Sequence, residues 1–316
     1  MLGNRKNQSI LATNMLFLIV ALLLLTVGAK VQQRDLYSGL LITEYLIVLV
    51  PILTFIIIRG HSIKRVLRLN GISLSQIIYT IIIVILAYPI AVFLNYIGII
   101  IISRFGKIIP NTVPLPTNLN EFFVSFLVIA LSPGICEEVM FRGLIMNSYE
   151  TLGRKKAIIY SAILFGMFHF NVQNLLGPIF LGLIFGIIVI KTNSILTGII
   201  GHTVNNTIAL VLGYGLNKLS DYEQSLKGMN ITVSDMDALF YGLIPLAVLA
   251  FIAGILLILF IKRMPASKTL AQAFNNTYDG LFINIRRRTK MNKWDRIPIW
   301  IFILIFIGWN YIIFFL

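Results

Sequence analysis

The chain alternates long apolar runs with short polar connections. Against the roughly 20 mostly apolar residues that a membrane-spanning helix needs, nine runs qualify, at about 10–29, 40–58, 77–102, 122–146, 157–174, 175–190, 195–213, 239–261 and 297–316. The pattern predicts an all-α fold, a polytopic transmembrane bundle of about eight or nine helices. The runs at 157–174 and 175–190 are short and nearly continuous, divided only by Asn171, Gln173 and Asn174. The run at 122–146 carries charge in its second half. Arg5 and Lys6 precede the first run as they would in a signal peptide, but that run is long and no small-residue cleavage site stands out after it, so a retained helix is expected.

Composition narrows the class further. With 58% hydrophobic and 12% charged residues, the chain cannot be solvated as one water-soluble globule. The basic residues fall unevenly. With the N-terminus inside, nineteen of the 26 Lys and Arg lie in inner segments and six in outer ones, Arg142 remaining within the membrane. Because cytoplasmic loops carry the excess, the expected orientation is N-in and C-out. The net charge of +14 is then a matter of topology, and Arg286-Arg287-Arg288 reads as contact with anionic lipid heads, with no nucleic-acid partner. The connection 264–296 is long enough for an interfacial helix bearing Phe274, Tyr278, Leu281, Phe282 and Ile285. The single cysteine, Cys136, excludes an intramolecular disulfide. No repeat, low-complexity linker or soluble domain interrupts the pattern. The expected organisation is N-terminal membrane helices at 1–76, a core at 77–213, and C-terminal membrane helices with a basic cytoplasmic loop at 214–316.

Candidate chemistry concentrates at 132–206, in the runs Glu137-Glu138-Val139-Met140-Phe141-Arg142, Phe165-Gly166-Met167-Phe168-His169 and His202-Thr203-Val204-Asn205-Asn206. Ionisable groups near a bilayer centre cost at least ~2.5 kcal/mol each, so they face a cavity or a partner. Glu138 and Arg142 stand i,i+4 with the acid first, the order that favours an ion pair on one helix face. Glu137 points about 100° away. A buried structural ion-pair cluster accounts for these three equally well. His202 and Asn206 share a face by the same spacing, where a polar helix–helix contact is the competing account, and His169 alone suits interfacial packing. Counted at ~1.5 Å per residue, Glu137, His169, His202 and Asn206 fall ~10–18 Å below the inner surface, as if lining one cavity reached from the cytoplasm. Outside these runs, Glu44 is expected at the outer interface, and Asn95 with Pro89 at a kink or a helix–helix hydrogen bond.

The ordered set E-E-x-x-x-R, F-x-x-x-H and H-x-x-x-N resembles the CAAX prenyl endopeptidase and bacteriocin-processing family (CPBP, or Abi) of intramembrane proteases. It covers about 75 of 316 residues, with all three motifs intact. The resemblance implies that Glu137 and His169 activate a water while His202 and Asn206 stabilise the oxyanion, supported by Glu138 and Arg142. That division suits amide hydrolysis, which needs a base for water and donors where negative charge develops. No cofactor is expected. Zinc is the competing account, with Glu137, His169 and His202 as ligands, although H-E-x-x-H is absent and Asn206 is a poor zinc ligand.

The expected activity is therefore an intramembrane endopeptidase acting on a membrane-associated protein or peptide. A catalytically idle immunity or scaffold protein and a transporter using Glu137 and Glu138 are the alternatives. The expected surroundings are lipid and a multi-pass position, in a bacterial cell membrane if the richness in Ile and Asn reflects an AT-rich genome.

Overall fold

The computed structural model describes residues 9–109, 115–225, 235–267 and 290–315, with side chains excepted at 216–225 and 235–241. Among the described residues there is no strand, and nine principal helices follow one another. Seven are long and apolar enough to cross a membrane: α1 (Ile10–Arg34), α2 (Leu36–Ile58), α3 (Leu74–Ser103), α4 (Leu119–Leu152), α7 (Ile195–Ser225), α8 (Asp235–Arg263) and α9 (Lys293–Phe315). The two runs that looked short are short helices, α5 (Arg154–Phe168) and α6 (Leu176–Thr192). The polar residues between them divide them as expected. Phe170 takes a left-handed φ of 50°, Asn171 Oδ1 accepts from Asn174 N at 3.2 Å, and Val172 N donates to Asn310 Oδ1 at 2.7 Å. The expected interfacial helix with Phe274, Tyr278 and Arg286-Arg287-Arg288, like Arg5 and Lys6, lies outside the described residues.

Large apolar side chains point outward because lipid solvates them. On α8, Ile244, Val248, Phe251 and Ile255 form an exposed row, while on α9 Pro298, Phe302, Phe306, Asn310 and Phe314 turn inward at helical spacing. Lipid removes the hydrophobic drive for helices to pair, which leaves packing and hydrogen bonds to hold them. Phe17 of α1 meets Phe302 of α9 edge-on at 4.6 Å. Tyr149 donates to Asn14 Oδ1 at 2.8 Å, and Asn14 Nδ2 donates to the Asp295 carbonyl at 2.6 Å, tying α4, α1 and α9. One core gathers α1, α2, α4, α5 and α9; a second gathers α3, α6 and α8. Asn95 forms a helix–helix hydrogen bond, accepting from Gly177 N at 2.8 Å, while α3 runs on through Pro89.

The two ends of the bundle differ. At one end Arg68 pairs with Glu150, Asn70 Nδ2 donates to the Asn193 carbonyl at 2.6 Å, and Ser267 N donates to the Lys191 carbonyl at 3.0 Å. This basic end also carries Arg59, Arg154, Lys155 and Lys156, at the helix ends beside those contacts. At the other end, Lys107 N donates to the Phe314 carbonyl at 2.9 Å and Ile109 N to Gln173 Oε1 at 3.0 Å.

Candidate active site

Helix α4 carries the acidic pair and is shaped by proline and glycine. Pro133 has no N–H for the Ile129 carbonyl four residues back, and that carbonyl instead accepts the Asn206 side-chain amide of α7 at 3.0 Å. The helix does not break there. It widens into π turns at Phe126–Leu131 and again at Val139–Ile145, directly after the acidic pair. Close approach of α7 depends on two glycines. A Cβ on Gly198 would meet Glu138 Oε2 at 2.6 Å, and one on Gly134 would collide with Thr203 Oγ1.

Between these helices lies a fully buried ion pair. Arg142 Nη1 donates to Glu138 Oε1 at 2.6 Å, the i,i+4 contact expected from the spacing, and Arg142 Nη2 donates to the Gly182 carbonyl of α6 at 3.3 Å. The guanidinium lies over the Phe165 ring at 4.4 Å and near that of Phe185 at 5.2 Å. His202 Nδ1 is 3.1 Å from the same Glu138 Oε1, and because a carboxylate accepts, Nδ1 is the protonated nitrogen in this contact. Its Nε2 then faces Glu137 Oε2 at 4.0 Å. Phe185 stacks on the His202 ring at 5.4 Å, and Phe165 meets both His202 and His169 edge-on, at 5.5 and 5.2 Å. Phe185 was not singled out from the sequence. Its signal is only its place within α6, and its role comes from helix packing.

His169 ends α5. Its Nδ1 donates to the Phe165 carbonyl at 2.9 Å, which leaves Nε2 as the nitrogen available for other chemistry. His169 and Glu137 line one cavity of about 510 Å³, together with residues of α1, α2 and α9 that include Leu24, Thr43, Glu44 and Trp309. That volume suits a ligand pocket. His202 stands behind Glu137. Asn206 is engaged with Ile129, and its neighbour Asn205 donates to Asn206 Oδ1 at 3.1 Å. The structure thus brings Glu137, Glu138, Arg142 and His202 into one network, places His169 in the wall of the cavity that Glu137 lines, and directs Asn206 to the α4 backbone.

Three expectations change. Glu44 is not at an interface: it is 7% exposed and lines the same cavity as Glu137. Distance along a helix gives depth but not azimuth, and the packing of Ile42–Leu49 against Ser132–Glu138 turns Glu44 inward. The cavity also lies away from the basic end. Its lining residues Gln32, Ile109, Asn171 and Phe314 belong to the end where Lys107 meets Phe314. His169, following the 15-residue α5, is carried across most of the bundle and ends at that opposite side. Finally, the alternative zinc set of Glu137, His169 and His202 does not converge. Among the described residues no three His, Cys, Asp or Glu side chains are grouped to hold a metal.

Residues 119–208 match the Rce1-like family model, described as type II CAAX prenyl endopeptidase Rce1-like. No curated protein and no solved structure matches the chain.

Proposed function

We propose, from the premise that residues 119–208 are a domain of the Rce1-like type II CAAX prenyl endopeptidase family, that this integral membrane protein hydrolyses a peptide bond in the cavity shared by Glu137 and His169. The observation that carries the reading is that those two side chains line one cavity, with the Glu138–Arg142–His202 network packed beside Glu137. Glu137 takes a proton from water as its oxygen attacks the scissile carbonyl, and His169 Nε2 orients that water. The carbonyl oxygen becomes an oxyanion. His202 as imidazolium donates to Glu138 from Nδ1 and to the oxyanion from Nε2. Asn206 has a second amide hydrogen, beyond the one given to Ile129, for the same purpose. On collapse the C–N bond breaks and the proton held by Glu137 passes to the leaving amine. Glu138 and Arg142 are positioning residues.

The cavity sits at the end opposite the basic one. With the basic end cytoplasmic, as the Lys and Arg distribution favours, substrates enter from the non-cytoplasmic side, which suits secreted or translocated peptides of a bacterial cell. The test is incubation of the purified, liposome-reconstituted chain with a membrane-tethered peptide library, read by mass spectrometry. Defined cleavage sites that vanish in Glu137→Gln are expected. Absence of cleavage by wild type, with function in cells retained by Glu137→Gln, would favour the immunity or scaffold alternative and overturn this one.

A further inference from the structure

Glu44 is the one carboxylate of the cavity that neither the motifs nor the hydrolytic scheme uses. It is more than nine-tenths buried, and its Oε2, like that of Glu137, is enclosed without a hydrogen-bond partner among the described residues. Of the polar side chains beside it in the lining, Thr43 donates its hydroxyl to the Leu40 carbonyl at 2.9 Å, and Gln32 Nε2 gives one hydrogen to Thr43 Oγ1 at 3.2 Å. Glu138 shows what an acid in this bundle ordinarily acquires, namely a guanidinium and an imidazole. Glu44 has neither. Among the described residues the lining contains two carboxylates and no Lys or Arg; beside the polar Gln32, Thr43, His169 and Asn171 the wall is apolar and aromatic, with Phe168, Phe170, Trp309 and Phe314. An enclosed carboxylate without a donor is costly, and either a bound proton or a cation brought by a ligand relieves it. Aromatic faces stabilise the same charge, and apolar walls suit the aliphatic stem on which Lys and Arg carry theirs.

We propose that Glu44 is a specificity-determining residue that binds the ammonium or guanidinium of a Lys or Arg beside the scissile bond, so that the preferred substrates are peptides with a basic residue at the cleavage site. This rests on the reading of the cavity as a peptidase site. The probe is a nitrobenzoxadiazole-labelled, N-acetylated and C-amidated decapeptide of apolar sequence with one lysine, compared with its norleucine counterpart. Binding is measured by fluorescence anisotropy on the full chain in nanodiscs, in a Glu137→Gln background to prevent turnover. The lysine peptide is expected to bind at least about tenfold tighter, a difference of about 1.4 kcal/mol, and adding Glu44→Gln is expected to bring the ratio to about one. In wild type the ratio of kcat/KM values should follow the same preference. Equal binding of the two peptides before Glu44 is changed overturns the proposal without reliance on the variant. So does a preference that survives Glu44→Gln, which puts the cation elsewhere. A kcat loss in Glu44→Gln that is equal for both peptides, with no binding preference, overturns it in favour of a proton-holding role beside Glu137. If wild type cleaves neither peptide while the binding preference and its loss stand, the hydrolytic reading fails and the cation subsite remains.

Discussion

Replacing Arg142 by methionine isolates the fully buried ion pair between Arg142 and Glu138. Arg142 and Glu138 have side chains with 0% exposure and meet at 2.6 Å, so the substitution leaves a fully enclosed carboxylate whose remaining described partner is His202. Removing one member of a buried ion pair costs about 3–5 kcal/mol. The same change deletes the stacking over Phe165 and Phe185, worth ~0.5–2 kcal/mol per contact. The second variant, Glu138→Gln with Arg142→Met, separates the two terms. If the uncompensated charge dominates, the double variant recovers most of the lost stability, because an apolar replacement of a buried pair is often neutral or better. If stacking dominates, the double variant stays as unstable as the single one. Unfolding of the reconstituted protein by steric trapping gives the free energies directly. Arg142→Met should lose about 3–5 kcal/mol, and the double variant should regain most of it yet lose activity, because a neutral amide holds a cationic His202 less strongly than the carboxylate does. An Arg142→Met variant within about 1 kcal/mol of wild type would refute the account of Glu138 as an acid that needs its guanidinium.

Gly198→Leu should leave the protein inserted but strongly impair hydrolysis, since even a Cβ there meets Glu138 Oε2 at 2.6 Å; wild-type kcat in that variant would contradict the close α4–α7 approach. Asn206→Ala should cost about 1–3 kcal/mol of stability, as the amide bonded to Ile129 O is lost, and should also lower kcat; a kcat loss with unchanged stability would leave only the oxyanion role. The single native cysteine, Cys136, is buried, so labelling can be read at introduced ones. Asn171→Cys should react with membrane-impermeant maleimide in intact cells, and Lys155→Cys only after permeabilisation; the reverse pattern would put the cavity on the cytoplasmic side.

Much of the helix order was legible because 20-residue apolar runs leave few alternatives, and the polar residues Asn171, Gln173 and Asn174 marked the break between α5 and α6. The Glu138–Arg142 contact was legible because i,i+4 spacing fixes both depth and azimuth on one helix. Contacts between helices were not. Glu44 was misplaced because its face is set by packing against Ser132–Glu138 rather than by its own helix. The cavity's end was misjudged for a related reason. Depth counted along one helix carries no information about where neighbouring helices part, and here they part around Gln32, Ile109 and Phe314. The partner of Asn206 had a local signal, since Pro133 frees the Ile129 carbonyl, but which side chain would claim it depended on the α4–α7 packing.

The claim that Glu137 activates water is tested most directly by comparing wild type and Glu137→Gln on one peptide that the reconstituted wild type cleaves, with unfolding measured alongside. General-base catalysis contributes about 10²–10⁴-fold, so Glu137→Gln should lower kcat by at least about 10²-fold at unchanged stability and peptide affinity. A Glu137→Gln variant that folds like wild type and cleaves the same bond within a few-fold of the wild-type rate would contradict the account.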